Sequence, residues 1–368
     1  MEMKVAIRVD ASSQIGVGHL MRCLTLADAL KERKAEVTFI TRDLIESLET
    51  LVKNHGHRHV KLRNDRHSDN VVERDVMQLA HAHWLPVDWK YDAEQTVACL
   101  NRLGQFDWLV VDHYALDAQW ENAVETVVQK ILVIDDLADR AHSCNLLVDQ
   151  NSYREYEYRY DNLVPSNCLK LLGASYALLR QEFKSARSSL RKRDGKISNI
   201  LVFFGGGDAT NETCKVLHSI KNIGIDQVAV SVVVGAANPH VTDIRKLSNQ
   251  MQNVTVHVDI DYISQLMQDA DLSIGAAGSA TWERCALGLP SILIALAENQ
   301  IEIAKSVERL GAGIYLGIFS EVTQESIEMA IRYSFEHPQK ISEMSRIAAA
   351  LVDAEGCQRV LKKMETNI

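Results

Sequence analysis

The chain has 368 residues, beyond the size at which one hydrophobic core usually stops growing, so two domains are expected. Hydrophobic residues make up 46% and charged residues 24%, which excludes disorder, and the formal net charge of −9 excludes broad electrostatic capture of nucleic acid. No apolar run approaches the roughly 20 residues of a membrane-spanning helix, and the N-terminus lacks a secretory signal, so a soluble cytoplasmic protein is expected.

Along the chain, short β-branched runs alternate with longer amphipathic segments, the pattern of parallel strands joined by crossover helices. In the first half the predicted strands are Val5 to Val9, Val37 to Thr41, Trp108 to Val111, Leu132 to Ile134 and Leu146 to Val148. In the second they are Ile200 to Phe204, Val228 to Val234, Val254 to Val258, Leu272 to Gly275 and Ser291 to Ile294. The fold class is therefore α/β, with two Rossmann-like domains.

The first strand runs into Asp10-Ala11-Ser12-Ser13-Gln14-Ile15-Gly16-Val17-Gly18-His19, followed by a helical pattern through Leu20, Cys23, Leu24, Ala27 and Leu30. Gly16 and Gly18 let a ligand approach the main chain, and the helix aims free N–H groups at it, as in anion-binding turns. Arg22 lies one turn further on. By itself the segment is equally a plain strand-to-helix turn with an incidental His19. The chemistry of the position favours function: a helix N-terminus disfavours a cation, and a neutral imidazole is a suitable general base.

The segment from Asn54 to Gln105 is less transparent. Its alternating His55, His57 and His59, and the pair His81 and His83, have no matching carboxylate or Cys set and are expected as surface or loop residues, with no metal site. Asp112-His113-Tyr114 and Asp135-Asp136 follow later strands. The acidic pair suits capping and salt bridges, while the Tyr114 ring and hydroxyl suit a sugar face. The seven cysteines are dispersed without a C-x-x-C pair and read as reduced, mostly buried thiols.

The charged stretch between Leu179 and Ile197 suits an exposed hinge, which divides the chain into residues 1–183, carrying the base, and residues 197–368. The second domain has two Gly-rich strand ends, Phe203-Phe204-Gly205-Gly206-Gly207-Asp208 and Gly275-Ala276-Ala277-Gly278-Ser279-Ala280-Thr281. They set backbone amides at the carboxyl edge of a parallel sheet, where such folds bind ligands. Glu283 either accepts hydrogen bonds from ribose hydroxyls or complements the helix dipole; spacing does not choose. Glu298-Asn299-Gln300 opens a further helix within reach of a sugar or phosphate.

Arg8-x-Asp10-x-Ser12-Ser13-x-Ile15-Gly16-x-Gly18-His19-x-x-Arg22, Leu85-Pro86-Val87-Asp88-Trp89, Val111-Asp112-His113-Tyr114, Gly173-x-x-Tyr176-Ala177-Leu178-Leu179-Arg180-x-Glu182-Phe183 and Phe204-Gly205-Gly206-x-Asp208 together resemble the pseudaminic acid pathway hydrolases. That family is related to the glycosyltransferase that adds N-acetylglucosamine to lipid I. The resemblance implies the glycosyltransferase-B fold, with two Rossmann-like domains facing across a cleft, and a C-terminal UDP-binding domain. It also implies cleavage of UDP-2,4-diacetamido-2,4,6-trideoxy-β-L-altropyranose at its anomeric C–O bond, with inversion and without a cofactor or metal. His19 would activate water and Tyr114 would lie near the scissile bond. By the same resemblance Ser279, Glu283 and Asn299 would belong to the nucleotide and sugar site, and Gly16, Gly18, Arg22, Gly205, Gly206, Gly278, Thr281 and Gln300, read from their turns, are the further expected substrate contacts. Two alternatives remain at this level: a UDP-sugar glycosyltransferase of the same fold, and a nucleotide-sugar-binding regulator without turnover. Whether the last helix, roughly Ile341 to Lys363, packs on the first domain is left open, as is the partner of the second His19 nitrogen.

Overall fold

The structure is a computed structural model that describes residues 2–12, 14–64 and 79–367, so Ser13 of the first motif lies outside the described residues. The chain forms two compact units, one of Met1–Asn151, Glu155–Leu178 and Gly356–Ile368, the other of Ser152–Arg154 and Leu179–Glu355.

In the first unit, β1 (Lys4–Val9), β2 (Glu36–Thr41), β3 (Arg58–Lys61), β4 (Phe106–Asp112), β5 (Val128–Ile134), β6 (Leu146–Asp149) and β7 (Leu169–Leu172) form one parallel sheet in the order β3-β2-β1-β4-β5-β6-β7. In the second, β8 (Asn199–Phe203), β9 (Ala229–Val234), β10 (Val254–Val258), β11 (Leu272–Ala276), β12 (Ser291–Ala295) and β13 (Gly313–Ile318) form another in the order β10-β9-β8-β11-β12-β13. Each sheet reverses its strand order beside its first strand, between β1 and β4 and between β8 and β11. These reversals are where open parallel sheets bind ligands, beyond the carboxyl ends of the strands.

Each predicted strand is present, and β1 shows why the runs are continuously apolar. Val5, Ile7 and Val9 pack with Leu20, Leu24 and Ala27 of the helix Gly18–Glu32 on one face, while Ala6 packs with Leu100, Leu109 and Trp120 on the other. β3, β7 and β13 were not predicted. They are the edges of their sheets or carry the half-exposed, charged patterns Arg58-His59-Val60-Lys61 and Leu169-Lys170-Leu171-Leu172, which blunt an edge and weaken the strand signal together.

Three expectations need correction. The expected hinge is exposed at residues 188–192, 194 and 196 but is anchored at points within it: Phe183, in the helix Gln181–Arg187, is fully buried, and Arg193 is 4% exposed. Its guanidinium donates to the carbonyls of Met267, Gln268, Ala270, Leu287 and Gly288, satisfying carbonyls at the ends of two turns of chain, with Arg191 and Ser345 adding donors to Ala270 and Gly288. Burial lowers its pKa to about 10, with the charge of Arg191 adding to the effect against the pull of Asp271 and Asp269. Two histidines of the opaque segment do find a carboxylate, while His83 is exposed as expected. His55 Nδ1 and His57 Nε2 each lie 2.8 Å from an oxygen of Asp28, tying that loop to the helix that carries His19. His59 is also enclosed, with Nε2 2.8 Å from Thr41 Oγ1.

The third concerns the end of the chain, where two helices, Pro338–Leu351 and Gly356–Thr366, replace the single one expected. The last of them belongs to the first unit. Its Cys357, Val360, Leu361 and Met364 join the core beneath the helix Gly18–Glu32, and a Cβ on Gly356 would stand 2.2 Å from the carbonyl oxygen of Ala177. Burying four such side chains contributes on the order of 6–10 kcal/mol, comparable to the whole stability of a domain. A chain ending at Glu355 is therefore expected to lose the cooperative melt of its first unit, read by near-ultraviolet circular dichroism. An unchanged melt would show that the helix is dispensable.

Candidate active site

At the first switch point the turn after β1 is built for access to the main chain. Ser12 Oγ accepts from the amides of Gln14 and Ile15 at 3.3 Å each, Gly16 N donates to Ser12 O at 2.8 Å, and Gly16 takes φ +80°, a left-handed torsion natural to glycine. Gly18 opens the helix with an ordinary torsion and open space where a Cβ would be, so neither torsion nor packing calls for glycine there. The capping residue, Val17, makes no side-chain cap, which leaves the first amides of the helix bare.

His19 is 8% exposed and sits on this turn. Its Nδ1 lies 2.6 Å from Asp112 Oδ1, at the carboxyl end of β4, where Asp112 is the register partner of Val9. Arg22 Nη2 lies 3.2 Å from the same nitrogen but donates to Asp112 Oδ1 at 2.7 Å, while Arg22 Nε donates to Oδ2 at 2.6 Å. A carboxylate at 2.6 Å fixes the proton on Nδ1 and turns Nε2 into the lone-pair nitrogen. Burial pushes the Asp112 carboxyl up, but Arg22 and His19 outweigh it and hold its pKa well below the usual carboxylate range.

The network continues outward. Arg22 Nη1 donates to Asp136 Oδ2 at 2.9 Å, and the Tyr114 hydroxyl donates to Asp136 Oδ1. Burial, with Asp136 beside it, raises the Tyr114 pKa well above its ordinary value, so the phenol stays protonated. The Tyr114 ring stands edge-on to His19 with centroids 4.5 Å apart, and Trp84 stacks on Tyr114 at 5.1 Å. Both Arg22 and Tyr114, expected as ligand contacts, thus commit their polar groups to carboxylates and offer the site a rigid wall. Asp112, Asp136 and Trp84 were not among the expected site residues. Asp112 was readable as the carboxylate ending a strand; its pairing with His19 depends on strand order, which no local pattern states.

Asp135 is engaged as well. It pairs with Arg140 at 2.8 Å and accepts from Ala138 N and Tyr160 Oη at 2.9 Å each. Among the described residues no three His, Cys, Asp or Glu side chains are grouped as they would be to hold a cation. Behind Asp135, His142 is fully enclosed, its Nδ1 2.7 Å from Glu121 Oε1. Burial lowers the His142 pKa, but Asp135 and Glu121 outweigh it and raise it from 6.5 to about 9. A raised histidine contributes stability that is complete below about pH 6.5 and lost as pH rises through about 9, here on the order of 3 kcal/mol. Urea midpoints of the first unit should fall between those pH values, and His142→Gln should remove that part of the slope. Equal slopes in both proteins would mean that the ring is neutral in the fold.

In the second unit the turn after β8 has Gly205 at φ +88°, and Gly206 O accepts from Gly235 N at 3.0 Å. Asp208, 4% exposed, caps the helix Glu212–Ile223 by accepting from Glu212 N and Thr213 N at 3.0 and 2.9 Å. Across the switch point, Gly275 lies so close to β8 that a Cβ would be 2.1 Å from Phe203 O. Ser279 is exposed without a side-chain cap, and Asn299 is exposed. Glu283 Oε1 accepts from Arg180 Nη2 at 3.2 Å, and burial raises its pKa against the pull of Arg180. Gln300 Oε1 accepts from Leu296 N at 2.9 Å, closing the turn after β12. Thr281 points inward, its hydroxyl accepting from Arg284 Nη2 at 3.1 Å.

Residues 199–360 match the glycosyltransferase family 28 C-terminal domain. The chain is 26% identical over 313 residues, covering 84% of itself and 97% of the relative, to the UDP-2,4-diacetamido-2,4,6-trideoxy-beta-L-altropyranose hydrolase of Campylobacter jejuni. It is 25% identical over 364 residues, 97% of itself and 96% of the relative, to the spore coat polysaccharide biosynthesis protein SpsG of Bacillus subtilis. The crystal structure of MurG from Acinetobacter baumannii matches it with a TM-score of 0.65 at 16% identity, covering 100% of both chains. No helix among the described residues is long and apolar enough to cross a membrane. The chain therefore has the glycosyltransferase-B type of fold, carries a glycosyltransferase family 28 C-terminal domain match in its second half, and is similar, as its motifs implied, to the UDP-diacetamido-trideoxy-altropyranose hydrolase.

Proposed function

We propose that the protein is a cytoplasmic hydrolase that cleaves UDP-2,4-diacetamido-2,4,6-trideoxy-β-L-altropyranose at its anomeric carbon, giving UDP and 2,4-diacetamido-2,4,6-trideoxy-L-altrose for pseudaminic acid synthesis. The observation that carries the reading is the His19 pair with Asp112 at 2.6 Å, on a bare helix start at a switch point. The similarity to the Campylobacter jejuni hydrolase supports the choice of substrate. His19 Nε2 takes a proton from water, the water oxygen bonds to C1, and the C1–O bond to UDP breaks. A single displacement inverts the anomeric centre. The proton passes from His19 to solvent.

Residues 179–355 take the nucleotide in this reading. Bare amides of the Gly205–Gly206 and Gly278–Ser279 turns stabilise the charge growing on the diphosphate, and Glu283 and Asn299 take ribose and sugar hydroxyls. No divalent ion is required, because Asp135 and Asp136 are already compensated by Arg140 and Arg22.

The second reading is a transferase, which the MurG-like fold favours. Water as sole acceptor separates the two. In ¹⁸O water with a chelator present, UDP release should proceed at nearly the full rate with the label in the sugar. Label in UDP would mean attack at phosphorus. Release only after an acceptor hydroxyl is added would make the protein a transferase, and a loss restored by Mg²⁺ would show that the acidic pair serves a metal.

A further inference from the structure

Two thiols outside the His19 network meet in the core of the first unit: Cys144 and Cys168 hold their Sγ atoms 3.6 Å apart. Cys144 stands two residues before β6 and Cys168 one before β7, and these strands are parallel neighbours with Leu146 beside Leu169. Leu169 N donates to Asn145 O at 3.0 Å, so the pairing already extends back to the cysteines. That register sets Cys168 opposite Asn145, so Cys144 is offset by one residue. A strand spacing of about 4.8 Å and a rise of about 3.3 Å give a diagonal Cα separation of about 6 Å, inside the range of about 4.4–6.8 Å that a disulfide bridges without backbone movement. The sulfurs need only turn toward one another.

We propose that Cys144 and Cys168 form a redox couple that closes to a disulfide on exposure to a peroxide. Cys168 reacts first: it is 9% exposed against 5% for Cys144, and it adjoins the edge strand β7. The S–H of Cys144 stabilises a thiolate on Cys168 and lowers that thiol below its ordinary value, with the charge of His142 adding to the effect. The Cys168 thiolate attacks one oxygen of hydrogen peroxide, the O–O bond breaks, and hydroxide leaves to become water, giving a sulfenic acid. The Cys144 sulfur then attacks Cys168 sulfur and expels its hydroxyl, which takes the Cys144 proton as a second water. Two thiols are oxidised by two electrons and one peroxide is reduced. The disulfide pins residues 144–168, the segment whose Arg159 and Tyr160 bond Asp149 and Asp135.

The test needs no substrate, so it stands apart from the hydrolase reading. The folded, reduced protein is treated with a few equivalents of hydrogen peroxide, then denatured, alkylated and mapped. The seven thiols of the chain should fall to five, with one linked peptide pair joining Cys144 to Cys168, reversed by dithiothreitol. In Cys144→Ser the reaction should stop at a Cys168 sulfenic acid that dimedone traps. Seven thiols surviving a peroxide dose that oxidises glutathione fully would overturn the proposal, and so would linkage through any other cysteine. If the serine variant does not fold, the wild-type map alone decides.

Discussion

Replacing His19 with Asn is expected to lower kcat by about 10² to 10⁴-fold while substrate affinity changes little. Asparagine keeps the approximate size of the ring and a hydrogen bond toward Asp112 but has no nitrogen lone pair to take a proton. The position is enclosed at 8% exposure, so neither bulk buffer nor an exposed side chain readily replaces the base. The neighbouring rings of Tyr114 and Trp84 are held by Asp136 and by each other, so the wall beside the vacancy should survive the substitution. Binding is read by calorimetry and turnover by UDP release. A variant with near-normal kcat and only a raised KM would make His19 a binding residue and move the search for the base elsewhere.

The same region shows what a single sequence tells and what it withholds. The turn from Asp10 to His19 was legible because its information is local: an apolar strand, glycines at the bend, and an amphipathic helix with Leu20, Leu24 and Ala27 on one side. The central strands were legible for the same reason, since burial on both faces leaves continuous β-branched runs. What stayed hidden depends on pairings across long separations. Asp112 is 93 residues from His19 and reaches it only because β4 lies beside β1. Arg193 read as a solvated charge because nothing nearby in sequence shows that helix ends would surround it with carbonyls. Asp28 likewise lies on a helix remote from His55 and His57. The last helix was misjudged for a different reason: its apolar face is clear, but the break at residues 352–355 puts its left-handed torsion on Ala354, at φ +62°, while the neighbouring Gly356 lies inside the next helix, where close packing on Ala177, and no torsion, calls for it.

If Asp112 acts by orienting His19, its removal should cost nothing further once His19 is gone. Asp112→Asn takes away the carboxylate that fixes the proton on Nδ1, and the amide can present its NH₂ to that nitrogen, which favours the tautomer with the proton on Nε2. That tautomer is no base, and kcat should fall by about 10² to 10⁴-fold. The substitution also leaves the Arg22 guanidinium with Asp136 as its remaining carboxylate partner among those described, so some stability will be lost in parallel, on the order of 3 kcal/mol. A loss of turnover caused by that structural damage alone would multiply with the loss from His19→Asn. A loss transmitted through the imidazole would not. The double variant is therefore expected to turn over at the rate of His19→Asn, with melting temperatures used to correct for any unfolded fraction. Multiplying losses in the double variant would assign Asp112 to the support of Arg22 and leave His19 oriented by other groups.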